Sequence, residues 1–158
     1  MKKSLFLCSV AAGAAMLISA STALAGDSWI GTWKLNVAKS KYSPGPGPQS
    51  LTLKFEATPD GIKLTSDGVD GEGKAMHGAY TSKWDGQDVP WTGNPNADTA
   101  SPKRIDANSY ENLWKKGGKV VITSKAIVSG DGKTLTTTQT GTNAKGQPLN
   151  VTAVYDKQ

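Results

Sequence analysis

The chain beyond residue 25 is expected to be all-β, a single antiparallel up-and-down β-barrel of about eight to ten strands. Three observations carry that expectation. No window of eleven or more residues after Gly26 shows the 3.6-residue apolar period of an amphipathic helix. Short runs alternate apolar and polar residues instead, the pattern of half-buried strands. Clusters of Gly, Pro, Asn and Asp separate these runs by gaps short enough for hairpins between sequence neighbours.

Ahead of the barrel, Lys2 and Lys3 precede an apolar stretch from Leu5 to Ile18, and Ala23-Leu24-Ala25 closes it with the small residues that signal peptidase accepts. Residues 1–25 therefore read as a signal peptide cleaved after Ala25, with residues 26–158 as the working domain in the periplasm or outside the cell. The Ala-x-Ala site favours cleavage over retention as an anchor, so no membrane association is expected afterwards. Cys8, the only cysteine, lies inside this segment, so no disulfide can form in the remainder. A barrel of this size buries about two thirds of its unfolded surface, and that burial must supply the stability.

Ten alternating runs follow: Trp29 to Asn36, Ser50 to Glu56, Gly61 to Ser66, Lys74 to Trp84, Gln87 to Trp91, Lys103 to Asp106, Ser109 to Lys116, Lys119 to Ser129, Lys133 to Thr140 and Leu149 to Tyr155. Pro59-Asp60-Gly61, Asp85-Gly86, Gly117-Gly118, Gly130-Asp131-Gly132 and Ala144-Lys145-Gly146 supply turns between them. Residues two apart share a strand face. Trp29, Gly31, Trp33 and Leu35 fall on one side; so do Leu51, Leu53 and Phe55; Ile62 and Leu64; Met76, Gly78, Tyr80 and Trp84; and Leu149, Val151, Ala153 and Tyr155. A sheet with one apolar face and no helix to cover it hides that face by closing on itself, although a two-sheet sandwich fits the patterning as well. Val37 to Pro48, with its Ser43-Pro44-Gly45-Pro46-Gly47-Pro48 core, is expected to run extended across one end, and Thr92 to Ser101 to form a long rim loop.

The formal net charge of +5 falls to +3 without Lys2 and Lys3, and the remaining lysines are scattered among acids. No basic run marks a nucleic-acid groove, so no nucleic-acid partner is expected.

Gly31-Thr32-Trp33, following Trp29-Ile30 on the first strand, resembles the Gly-x-Trp opening of lipocalins and their calycin relatives. The chain is similar throughout to small secreted bacterial proteins described as lipocalin-like, especially over Gly31 to Pro48, Gly93 to Asn108 and Gly132 to Asn143. That resemblance implies a barrel and no settled activity. It also implies that Gly31 and Trp33 form a structural motif, with Trp33 at the closed end beneath a basic side chain from a late strand. The sole arginine, Arg104, lies mid-chain, so Lys125 or another late lysine would have to cover Trp33.

Acid-base or nucleophilic catalysis needs titrating groups within reach of one another. Beyond residue 25 there is one histidine, His77, on the strand face opposite Met76, Gly78 and Tyr80, and there is no thiol. No catalytic residue is assigned, and the common zinc and copper ligand sets are missing from a single chain. Asp67-Gly68-Val69-Asp70-Gly71-Glu72 lacks the spacing of a calcium loop and reads as two Asp-Gly turns. No metal or cofactor is expected.

The aromatic residues are the stronger signal. Met76, Tyr80, Trp84, Trp91 and Trp114 mix with Gly78, Ser82 and Thr137 on the inward face, a lining that suits either a ligand cavity or a solid core. Arg104 is a candidate polar anchor for a carboxylate, although an inward Ile105 would turn it to the surface. The favoured function is an exported barrel that binds a small apolar or amphipathic molecule. The alternative is an interaction or inhibitor module with a solid core, acting through its loops; an enzyme is the third reading.

Overall fold

The computed structural model describes residues 26–158, and the expected signal peptide lies outside them. The described residues form eleven strands: β1 Gly31–Leu35, β2 Lys41–Ser43, β3 Ser50–Thr58, β4 Gly61–Val69, β5 Ala75–Ser82, β6 Val89–Pro90, β7 Thr99–Arg104, β8 Ser109–Lys116, β9 Lys119–Val128, β10 Thr134–Thr142 and β11 Pro148–Lys157. The helical element that lies wholly within them is a single 3₁₀ turn, Val37–Lys39.

Neighbours in the sheet run β5-β4-β3-β1-β11-β10-β9-β8-β7-β6, an antiparallel meander whose first and last strands meet. β1 pairs with β11 through Trp33 opposite Lys157 and Leu35 opposite Tyr155. β2 also pairs with β11, through Tyr42 opposite Val151. The two short strands are thus one strand with an interruption: from Leu35 to Tyr42 the chain advances seven residues while its partner advances four, from Tyr155 to Val151. The 3₁₀ turn takes up the excess, with Asn36 capping it by accepting from the Lys39 amide. The ring is completed where Ala79 of β5 and Thr92 exchange two backbone hydrogen bonds of 3.1 and 3.0 Å. This is the all-β, single antiparallel barrel that the alternation predicts.

Burial follows period two where one face is wet. Ile122, Ser124, Ala126 and Val128 of β9 are buried, while Lys125 and Ile127 between them are exposed. The same rule buries Leu53 and Phe55, Ile62 and Leu64, Tyr80 and Ser82, and Val151, Ala153 and Tyr155.

Three expectations need correction. Val37 to Pro48 is not one extended crossing, because its first half holds the 3₁₀ turn and β2. The rim loop ends at Asp98, since Thr99–Ser101 already belong to β7. Alternation fails there because Ala100, Ser101 and Pro102 are all buried: the chain before β6 covers the outer face, and Asp88 accepts a 2.5 Å hydrogen bond from the Ser101 hydroxyl. The third correction concerns Ile105, which is 60% exposed, while its neighbour Arg104 turns inward at the closed end.

A candidate ligand-binding interior

The closed end is a plug of rings. Trp29, Trp33, Phe55, Trp84 and Tyr110 are buried there; Trp29 meets Phe55, Trp84 and Tyr110 edge-on at 5.8, 5.4 and 5.0 Å, and Trp84 stacks on Tyr110 at 5.2 Å. The motif tryptophan Trp33 donates its indole N–H to the Trp29 carbonyl at 3.0 Å. The basic cover that the family resemblance implies is Lys157, whose Nζ sits 4.9 Å from the Trp33 ring centre and donates to the Ser28 carbonyl at 2.6 Å. Gly31 permits this crossing: its φ is +129°, and a Cβ there would lie 3.1 Å from the Lys157 stem. Lys125 is instead exposed and pairs loosely with Glu111 at 3.8 Å.

Arg104 clamps the entering chain to the β7–β8 corner. Its guanidinium holds Asp27 at 2.5 and 3.1 Å, donates to the carbonyls of Asp106 and Ala107 at 3.0 and 2.8 Å, and lies 5.2 Å over Trp84. Four of its five N–H donors are thereby engaged. Trp84 itself has φ +57°, rare for a bulky residue, and is held there by the Ser82 hydroxyl on its amide and by the Arg104 amide on its carbonyl. A surface cleft of about 270 Å³, lined by Asp27, Gly61, Ile62, Lys83, Trp84 and Arg104, opens beside this clamp.

Above the plug the residues stand in rows set by the register. Tyr110, Ala126, Thr137 and Ala153 lie abreast on β8, β9, β10 and β11. The next row is Asn112, Ser124, Gln139 and Val151, with Tyr42 beside Val151. Nearer the mouth, Trp114 stands opposite Ile122 and Ala100. Across the barrel, Trp91 packs edge-on against both Tyr80, at 5.2 Å, and Trp114, at 4.7 Å, closing an aromatic arc. Gly78 makes room for it, since a Cβ there would meet the Trp91 indole nitrogen at 3.2 Å. Tyr80 is buried, Trp91, Trp114 and Met76 are half-buried, and Met76 stands at the mouth end of β5.

Polar groups in this interior are incompletely paired. The hydroxyls of Tyr42, Tyr80 and Thr137 and the indole N–H groups of Trp84 and Trp114 are buried without a hydrogen-bond partner among the described residues. Buried polar groups normally find partners, so each such atom calls for an explanation. All four tyrosines of the chain belong to the core or pack against it. Burial pushes the Tyr42 and Tyr110 phenols up to about 12, and raises Tyr80 and Tyr155 well above the ordinary tyrosine value. Tyr80 and Tyr110 lie close enough to influence one another, as do Tyr155, Tyr42 and Tyr110.

The mouth is crossed by the β10–β11 hairpin. The Ala144 amide donates to Asn96 Oδ1 at 2.9 Å in the loop before β7, and Lys145 lies 3.5 Å from Glu72 at the tip of the β4–β5 hairpin. These partners lie on opposite sides of the hairpin around the ring, each with two strands intervening, so the tip spans the opening. Gly141, at φ +149°, lets β10 bend where any Cβ would strike the Val121 carbonyl.

The remaining titrating groups sit outside. His77 is exposed and meets Asp67 at 2.6 Å. Asp70 accepts from the amides of Glu72 and Lys74 at 2.9 and 2.8 Å, bonds that lower its pKa and make Asp70-Gly71 a turn, whereas Asp67-Gly68, expected as a second turn, lies within β4 and pairs with His77 and Met76. Asp88, held low by Lys115 at 2.6 Å and by Ser101, ties the chain before β6 to β7 and β8. No cluster of three metal-ligating side chains occurs among the described residues.

Floor, aromatic arc and mouth together make one closed antiparallel β-barrel. Among solved structures it is similar to the M. tuberculosis protein Rv2717c, with a TM-score of 0.51 at 15% identity over 85% of this chain and 95% of that one. It is also similar to zebrafish ileal bile acid-binding protein complexed with cholic acid (TM-score 0.48, 10% identity, 83% and 99% covered) and to a de novo designed fluorescence-activating β-barrel (0.43, 12%, 85% and 97%). At these identities the likeness is one of fold. No protein-family model matches the chain, and no curated protein matches it in sequence.

Proposed function

We propose that this protein is an exported barrel, periplasmic or secreted after cleavage at Ala25, that holds a small apolar or amphipathic molecule inside residues 26–158. The observation that carries this reading is the aromatic arc of Tyr80, Trp91 and Trp114, in which the Tyr80 hydroxyl and the Trp114 indole N–H are buried without a hydrogen bond among the described residues. Apolar burial drives binding at roughly 25 cal/mol per Å² removed from water, and the hydroxyls fix orientation. Met76 lies at the mouth end of the lining, and Trp84 forms its floor. Arg104 serves the floor through Asp27.

Two measurements test the reading. Expression of the full chain in a bacterial host, followed by intact-mass analysis of the periplasmic and culture fractions, should return a species beginning at Gly26. Calorimetric titration of that species with naphthalene derivatives should show saturable binding; heats no larger than those of dilution would return the weight to the interaction-module alternative, whose loops share the mouth with the β10–β11 hairpin.

A further inference from the structure

The unpaired groups also say what kind of molecule fits. The indole N–H of Trp114 can only donate and has no partner among the described residues, and the hydroxyls of the buried residues Tyr80 and Thr137 complete no hydrogen bond there, although the Tyr110 phenol lies beside Tyr80 and the Tyr155 phenol beside Thr137. Apart from Asp27, whose carboxylate Arg104 holds, the buried polar residues among those described are neutral: Ser82, Ser101, Asn112, Ser124 and Thr137. The arginine that would pair with a carboxylate is engaged by Asp27 at the floor. An ionised ligand head would therefore be buried without a countercharge, which is far costlier than burying a neutral acceptor that receives hydrogen bonds. The arc of Trp91, Trp114 and Tyr80 presents ring faces and edges, which suit a planar ring better than a flexible chain.

We propose that the interior selects an uncharged, ring-bearing molecule held through an accepting oxygen, a ketone or ester carbonyl, and discriminates against carboxylic acids. This rests on the reading of the barrel as a ligand carrier and narrows it to a chemical class.

Three probes of one shape test it: acetylnaphthalene, naphthoate and ethylnaphthalene, substituted at the same carbon and titrated into the exported protein at neutral pH by calorimetry. The ketone is expected to bind about fivefold more tightly than the hydrocarbon, the value of one net neutral hydrogen bond, and more tightly than the anion. Tyr80→Phe and, independently, Thr137→Val should each narrow the ratio between ketone and hydrocarbon, with circular dichroism confirming the fold. If all three probes bind but naphthoate is tightest, or ketone and hydrocarbon are equal, the selectivity is overturned while the carrier reading stands. If none binds, both fall together.

Discussion

The ammonium of Lys157 lies 4.9 Å over the ring of Trp33, bringing the end of the last strand onto the first at the closed end of the barrel. Both residues also serve the backbone, Lys157 through the Ser28 carbonyl and Trp33 through the Trp29 carbonyl, so cation, indole and entering chain form one unit.

Lys157→Met keeps the stem and removes the charge. It should lower stability by about 1 kcal/mol, the scale of a partly shielded cation–π contact, whereas Trp33→Ala should cost about 3–5 kcal/mol through the cavity it leaves. Urea denaturation followed by circular dichroism checks both. Gly31→Ala should be destabilising because of its φ of +129°, and less so when combined with Lys157→Ala, which clears the stem from its path.

Arg104→Ala strands Asp27, whose side chain is only 7% exposed, and should destabilise by about 3 kcal/mol. Arg104→Lys should recover only part, since an ammonium cannot reproduce the two-pronged contact. The same urea measurement decides it; equal stability of wild type and Arg104→Ala would contradict the clamp.

The tyrosines predict an alkaline limit. In the unfolded chain each phenol ionises at about pH 10, while the folded chain keeps Tyr110 and Tyr42 protonated to about 12. The unfolded state therefore loses protons first, so stability is full below about pH 10 and falls as pH rises toward 12. Absorbance titration of native protein should show little tyrosinate at about pH 10, followed by a steep rise as the barrel opens.

At the mouth, Asn96→Ala removes the acceptor of the Ala144 amide. Hydrogen exchange at Ala144 and its hairpin neighbours should accelerate, while β9 amides such as Ile122 keep their protection. Gly141→Ala should have the same local effect by opposing the bend.

The alternation in the sequence exposes some strands and hides others. β3, β4, β5 and β11 were legible because each has one wet face, so Leu53, Leu64, Tyr80 and Ala153 declare themselves by period two. β7 was not, because its outer face is covered at Ser101 and burial no longer alternates. The orientation of Arg104 is not legible in the sequence, because Ile105, its apolar neighbour, lies past the strand end and faces solvent. The aromatic residues pointed to the interior, but their division into a floor around Trp84 and an arc around Trp91 depends on pairings distant in sequence. The unpaired donors had no sequence signal, since whether a hydroxyl is satisfied depends on neighbours that only the closed ring supplies.

The pairing of β1 and β2 with β11 also bears on failure. Loss of the final strand would bare one edge of β10 and one edge of the first strand at the same time, beside uncovered Trp33 and Leu135. Unpaired strand edges flanking apolar surface are templates for intermolecular pairing. A chain cut short by ten residues is thus expected to assemble into sheets with its own copies rather than persist as a slightly frayed monomer.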